Sequence, residues 1–160
     1  MTNIHLITLA LYPNTKGFGF ACMNGVTDII DSGVANIRPI SNRKTMKRIQ
    51  SLIEYFEPVL LLVKDAEYSN RTKNLIATIK SECTRKNLKV VTYSRAEIDM
   101  AFKEFKAGNK YEIAKKIVES FPELEPNMPE PRKPWKPDDY FMGMFDAISL
   151  ICTHHWRKDV

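Results

Sequence analysis

Tyr12 is the first side chain whose position in the sequence points to chemistry. It ends a mostly apolar run that starts at Ile4, and Pro13 and a short polar turn separate this run from a second one that begins at Gly17-Phe18-Gly19. The two runs predict adjacent antiparallel strands. Because open α/β sheets bind ligands beyond the ends of their strands, we expect the phenol to lie at such an edge. There it could stack on a base or a sugar, or fill the core.

Basic side chains flank the predicted strand ends and could bind phosphate groups. Those expected to contact nucleic acid are Lys16, Lys64, Arg71, Lys73, Lys103, Lys106 and Lys110. The chain has 24 Lys and Arg residues against 19 Asp and Glu residues, a formal net charge of +5. This excess favours a polyanionic partner. A separate basic helix face, Arg43 to Arg48, is either a solvated surface or a second binding patch.

Cysteine and histidine do not form a pattern that favours a metal site. Cys22, Cys83 and Cys152 are far apart and lie in apolar runs, which indicates buried, reduced thiols and a cytoplasmic protein. The adjacent His154 and His155 diverge by about 100° on a helix, unlike the i, i+4 spacing that a metal prefers. No apolar run approaches about 18 residues, so we expect a soluble protein without a membrane partner.

Five strands are predicted to position these residues. After the hairpin, residues 26–37 predict a third strand, which completes an antiparallel meander. Val59 to Val63 is a continuous apolar run, typical of a strand covered on both faces, and residues 88–93 predict a fifth strand behind a helix. A chain of 160 residues suits one domain. We therefore predict a single α/β domain over residues 1–160, in which a mixed five-stranded sheet, the meander plus parallel strands, has helices on both faces.

Apolar stripes and capping residues predict five helices. They lie at about 41–57, 69–86, 94–108, 110–120 and 138–156. Ser94 and Glu97 match a capping box, and Gly108 is a candidate C-terminal cap. Residues 122–137, before the last helix, hold six of the nine prolines, which predicts an irregular connector on the surface.

This order of elements is the ribonuclease H-like layout, and the motifs on it resemble the RuvC family of Holliday-junction resolvases over nearly the whole chain. That family opens with Asp-Pro and then Gly-aromatic-Gly, where this chain has Tyr12-Pro13 and Gly17-Phe18-Gly19. Its third strand carries Ser-Gly and then Ile-Arg, as in Ser32-Gly33 and Ile37-Arg38. Its last helix carries Asp-Ala, as in Asp146-Ala147.

The resemblance implies Mg²⁺-dependent cleavage of phosphodiesters, but most of the positions that would perform it are changed. In the family, four acids hold two Mg²⁺ ions against the scissile phosphate. The corresponding positions here hold Tyr12, Lys64, Gly143 and Asp146. A phenol is a poor Mg²⁺ ligand at neutral pH, and an ammonium group places positive charge where the metal ions would bind. We therefore predict a degenerate metal site.

Neighbouring acids offer an alternative site. Asp65 follows Lys64, and Asp139 precedes Asp146 by two helical turns, on the same face but roughly 10 Å away along the axis. An active enzyme would use Asp65, Asp139 and Asp146 as catalytic residues, with Asp146 as a metal ligand. Asp146 could instead pair with a cation such as Lys64.

Three functions remain open on this sequence. The first is a RuvC-like protein that binds branched or double-stranded DNA, as a homodimer by the resemblance, with weak or no nuclease activity and no cofactor. The second is an active Mg²⁺-dependent endonuclease of the junction-resolvase type, and the third is a structural subunit that binds other proteins. The exchange of acids for neutral and basic groups favours the first, because a phosphate could then approach without a metal ion.

Overall fold

One five-stranded sheet organises the computed structural model, which describes residues 6–66, 69–131 and 140–158. Its strands are β1 (Ile7–Asn14), β2 (Gly17–Asn24), β3 (Asp28–Asn36), β4 (Leu60–Lys64) and β5 (Lys89–Tyr93). Their order across the sheet is β3-β2-β1-β4-β5. The first three strands pair antiparallel, whereas β4 runs parallel to both β1 and β5. The predicted mixed sheet with its antiparallel meander is confirmed.

In the part of the chain that the structure describes, five α-helices connect and cover these strands. They are α1 (Asn42–Phe56), α2 (Asn70–Arg85), α3 (Arg95–Lys103), α4 (Lys110–Ser120) and α5 (Met142–Lys158). The side chains of Ser41, Ser69, Ser94 and Asn109 each accept a hydrogen bond from an amide in the first turn of the helix that follows. Such short polar side chains satisfy amides that have no partner within the helix. At α3 the predicted capping box is complete.

Two local predictions are wrong. Gly108 does not cap α3, because that helix ends at Lys103 with Glu104 as its C-cap, and the left-handed residue after it is Lys106, at φ 58°. The proline-rich segment is not irregular throughout, since Pro122–Asn127 forms a 3₁₀ helix. Proline fits the first turn of a helix, where its missing N–H removes no hydrogen bond. The remaining connector and the predicted start of the last helix, at 132–139, lie outside the described residues.

The sheet carries one apolar layer on each face. Ala10 and Tyr12 of β1 pack with α3, α4 and α5, whereas Leu9 and Leu11 pack with α1 and α2. Successive side chains of a strand point to opposite faces, which explains this alternation. Strand β1 therefore brings Tyr12 to the α5 face at the same end of the sheet where β4 delivers Lys64. No helix in the described part of the chain is long and apolar enough to cross a membrane.

Raising the pH from about 9 to about 12 is expected to lower the free energy of unfolding. All three cysteines are free thiols, and burial raises the pKa of Cys22 and Cys152 from an ordinary value near 9 to about 12. Below pH 9 the thiols are protonated in both states. Between pH 9 and 12 the unfolded chain loses protons that the folded chain keeps, so stability falls as the pH rises. Urea unfolding at about pH 8 and about pH 10.5 measures this fall.

The Cys22→Ala/Cys152→Ala variant is the control for that measurement. Its stability should depend less steeply on pH than that of the wild type, because tyrosines and the third thiol then supply the remaining dependence. An unchanged slope in the variant would contradict the prediction.

Candidate nucleic-acid interface

Tyr12 is buried near the end of β1. It lies at the edge of the sheet where β4 also ends, at Lys64, and this edge is called the rim. The Tyr12 side chain is 8 % exposed, and the Nζ atoms of Lys64 and Lys110 lie 5.6 and 5.5 Å from the centre of its ring. These distances are within the range of cation–π attraction. Burial raises the pKa of the Tyr12 phenol, and the carboxylate of Asp146 raises it further, against the opposing effects of Lys110 and Arg95. The phenol is therefore neutral at physiological pH, and the cations Lys64, Lys110 and Arg95 lie around it.

Asp146, the one acid among the four positions that the resemblance pointed to, is held in ion pairs. Its Oδ2 lies 3.1 Å from Lys110 Nζ and its Oδ1 lies 3.8 Å from Arg95 Nη1, while 8 % of its side chain is exposed. The prediction that Asp146 pairs with a cation is confirmed, and the cations come from α4 and α3, which pack beside α5. Lys64, the partner suggested by the sequence, places its Nζ over Tyr12 and donates it to the carbonyl oxygen of Asp65, at 2.7 Å.

Asp65 lies immediately beyond β4 and is exposed. Its amide donates to the carbonyl oxygen of Tyr93 at 2.8 Å, and its Oδ1 accepts a hydrogen bond from the amide of Ala66 at 3.0 Å. Asp139 lies outside the described residues. Within the three described segments, no group of three or more His, Cys, Asp or Glu side chains is placed to hold a metal ion. The atypical site of Asp65, Asp139 and Asp146 stays a prediction.

Gly143 allows α5 to touch the backbone of the sheet. A Cβ atom at Gly19 would lie 1.8 Å from the carbonyl oxygen of Gly143, and one at Gly143 would lie 3.3 Å from Asn14 Nδ2 and 3.4 Å from Gly19 Cα. A Cβ atom at Gly19 would therefore overlap the backbone of α5, whereas one at Gly143 would fit if its neighbours shifted by a few tenths of an ångström. Gly143 lies where α5 packs directly on the backbone of β2.

A pocket of about 290 Å³ opens at this rim, and Tyr12, Gly143 and Asp146, three of the four positions that the resemblance pointed to, line it. Its charged lining residues in the described part of the chain are Lys16, Arg38, Lys110 and Asp146. Sequence reasoning did not select Arg38 as a binding residue. The available signal was its place in Ile37-Arg38, one of the steps that resemble the family, directly after the strand that pairs with β2.

The predicted phosphate-binding residues are not all at one place. Lys16 and Lys110 line the pocket, and Lys64 lies beside it over Tyr12. Lys73 is exposed in the first turn of α2, and Lys103 and Lys106 are exposed where α3 leads into α4. The structure thus brings the first three together and leaves the others on neighbouring surface.

Arg71 forms hydrogen bonds that connect three elements of the fold. Its Nη2 donates to the carbonyl oxygen of Asn14 at 3.1 Å, and its own carbonyl oxygen accepts from Asn42 Nδ2 at 3.0 Å. These bonds tie the first turn of α2 both to the tip of the β1–β2 hairpin and to the start of α1. The basic face Arg43 to Arg48 is exposed at Arg43, Lys44, Lys47 and Arg48.

Similarity to known proteins is found in structure and not in sequence. No family model matches the sequence, and neither does any curated protein. The RuvC of Thermus thermophilus in complex with a Holliday junction substrate matches with a TM-score of 0.66 at 13 % identity, over 97 % of this chain and 96 % of that one. Another structure of the same RuvC gives 0.65 at 13 % identity, over 96 % and 95 %. The yeast mitochondrial Holliday junction resolvase gives 0.61 at 12 % identity, over 95 % and 80 %.

Proposed function

On its RuvC-like, ribonuclease H-like fold, we propose that this chain binds branched or double-stranded DNA and cleaves it weakly or not at all. The observation that carries the proposal is the charge at the rim, where Lys64 and Lys110 flank Tyr12 and Asp146 is paired with Lys110 and Arg95. Branched DNA is the favoured ligand because one structural relative was solved with a Holliday junction and another is a junction resolvase.

The described residues fit a pair of Mg²⁺ ions poorly. Such ions need several free carboxylate oxygens at about 2.1 Å, whereas the carboxylate of Asp146 already pairs with two cations. The ammonium groups around Tyr12 would repel a divalent cation and attract a phosphate. Binding without a metal ion and without cleavage follows from the same arrangement.

DNA affinity is expected to fall steeply as salt increases and to persist in EDTA. Each phosphate contact adds about −0.9 to the slope of log K against log salt, so Lys16→Ala and Lys106→Ala should each reduce the slope by about 1. The control is Lys89→Ala, which removes an exposed charge at the opposite end of the sheet, where Lys89 pairs with the first residue of β4. Fluorescence anisotropy with a labelled four-way junction measures these slopes.

Incubation of the same junction with Mg²⁺ or Mn²⁺ is expected to give no more cleavage than a protein-free sample. Metal-dependent cleavage that is lost in Asp65→Asn would instead support an endonuclease that uses Asp65, Asp139 and Asp146. Asp65 is the informative position because it is exposed, so its substitution should leave the fold intact. If the affinity showed no dependence on salt, the function as a protein-binding subunit would gain support.

A homodimer in a reducing, cytoplasmic compartment completes the proposal. The dimer rests on the resemblance to the resolvases, and the compartment rests on three free thiols. Sedimentation equilibrium with and without junction DNA tests the dimer, for which a mass of about twice 18.5 kDa is expected.

A further inference from the structure

The rim pocket has an excess of positive charge. Lys16, Arg38 and Lys110 are cations and Asp146 is an anion, so these lining residues carry a net charge of +2. Lys110 pairs with Asp146 inside the pocket. Lys16 and Arg38 supply the excess, and in the described segments neither side chain forms an ion pair. Both are exposed at the mouth of the pocket.

The uncharged walls of the pocket suit a nucleotide. Side chains of Asn14, Thr15 and Asn36 supply hydrogen-bonding groups, and Tyr140, 60 % exposed, adds an aromatic ring. That ring is braced edge-on against Phe141, with 5.0 Å between the ring centres. The volume of about 290 Å³ lies just below the range for ligand pockets, about 300–1,000 Å³. Aromatic rings stack on bases of any sequence.

We infer that this pocket binds a phosphomonoester at the end of a nucleic-acid strand, without a metal ion. A phosphomonoester carries a charge of about −1.5 to −2 at pH 7, which matches the lining, whereas an internal phosphodiester carries one negative charge. The inference rests on the proposed function and names the part of the DNA that the rim selects. Lys16 and Arg38 are the residues that distinguish the two kinds of phosphate.

The test compares duplexes of one sequence that end in 5′-phosphate, in 3′-phosphate or in hydroxyl groups only, by fluorescence anisotropy in EDTA. One of the phosphorylated duplexes should bind roughly tenfold more tightly than the hydroxyl duplex, because charge-assisted hydrogen bonds are about twice as strong as neutral ones. Lys16→Ala/Arg38→Ala should abolish this ratio. Lys47→Ala/Arg48→Ala, which removes the same charge from the exposed face of α1, should preserve it.

Each result of this test separates the inference from the proposed function. Equal binding of all three duplexes by the wild type would overturn the inference and leave DNA binding in place. If no duplex bound, the proposed binding of double-stranded DNA would fail, the four-way junction would decide about branched DNA, and calorimetry with thymidine 5′-monophosphate against thymidine would decide about the pocket. Binding of the nucleotide alone, lost in Lys16→Ala/Arg38→Ala, would support a phosphomonoester site for free nucleotides, and no binding would overturn it.

Discussion

Gly19→Ala should destabilise the protein by at least about 3 kcal/mol, the upper part of the range for overpacked sites. The new Cβ atom would lie 1.8 Å from the carbonyl oxygen of Gly143. Both groups belong to backbone, so relief requires β2 or α5 to move as a whole. Because α5 carries Asp146 and borders the rim pocket, such a movement would also disturb the binding surface. Urea unfolding followed by circular dichroism measures the loss.

Gly33→Ala is the matched control on the adjacent strand. Its Cβ atom would meet only the ring of Phe20, at 3.3 Å, and a side chain can turn aside, so we expect a change within about 1 kcal/mol. Gly143→Ala should fall between the two, since its Cβ would also meet backbone, with Gly19 Cα at 3.4 Å, and backbone cannot turn aside as a side chain can. A Gly19→Ala protein as stable as the wild type would show that α5 does not approach β2 in this way.

Asp146→Asn should lower the free energy of unfolding by about 2–3 kcal/mol. Removing one partner of a buried ion pair costs about 3–5 kcal/mol, and the partial exposure of Lys110 and Arg95, 35 % and 21 % of their side chains, reduces that cost. In Asp146→Asn, Lys110 and Arg95 lose the carboxylate that they pair with. Lys110→Met removes one of these two cations. The loss of stability in the Asp146→Asn/Lys110→Met double variant should therefore be smaller than the sum of the losses in the two single variants. In a double-mutant cycle the difference should be about 1–2 kcal/mol.

An exposed ion pair provides the control for this cycle. Lys116 Nζ lies 3.4 Å from Glu119 Oε2, with 59 % of the Glu119 side chain exposed, so Glu119→Gln should cost less than about 0.5 kcal/mol. Equal stabilities of wild type and Asp146→Asn would contradict a structural role for Asp146 and favour a catalytic one. Loss of activity in an unstable Asp146→Asn protein would be no evidence for catalysis.

Much of the fold is predictable because its signals are local. The apolar run Val59 to Val63 predicts a covered strand from hydrophobicity alone, and Ser94 with Glu97 predicts the start of a helix from capping geometry. The end of α3 was not predictable in this way. Gly108 suggested the C-terminal cap, but Lys106 adopts the left-handed conformation. This conformation is unfavourable for a residue with a Cβ atom, and a single sequence does not reveal which such residue adopts it.

The residues of the candidate site can be named from the sequence, but their contacts cannot. Once the resemblance is recognised, the sequence shows that Tyr12, Lys64 and Gly143 are not acids. The partners of Asp146 are not visible, because Lys110 and Arg95 lie 36 and 51 positions away and reach it only when α4 and α3 pack against α5.

The sequence by itself determined the order and type of the strands and α-helices and showed that Tyr12, Lys64 and Gly143 are not acids, since hydrophobic period, capping and residue identity are properties of short stretches. Only the tertiary structure decided that Arg38 and Lys16 share a pocket with Asp146, and that Gly143 serves close packing against Gly19. These arrangements depend on the distance at which the helices pack against the sheet, and many side chains together determine that distance.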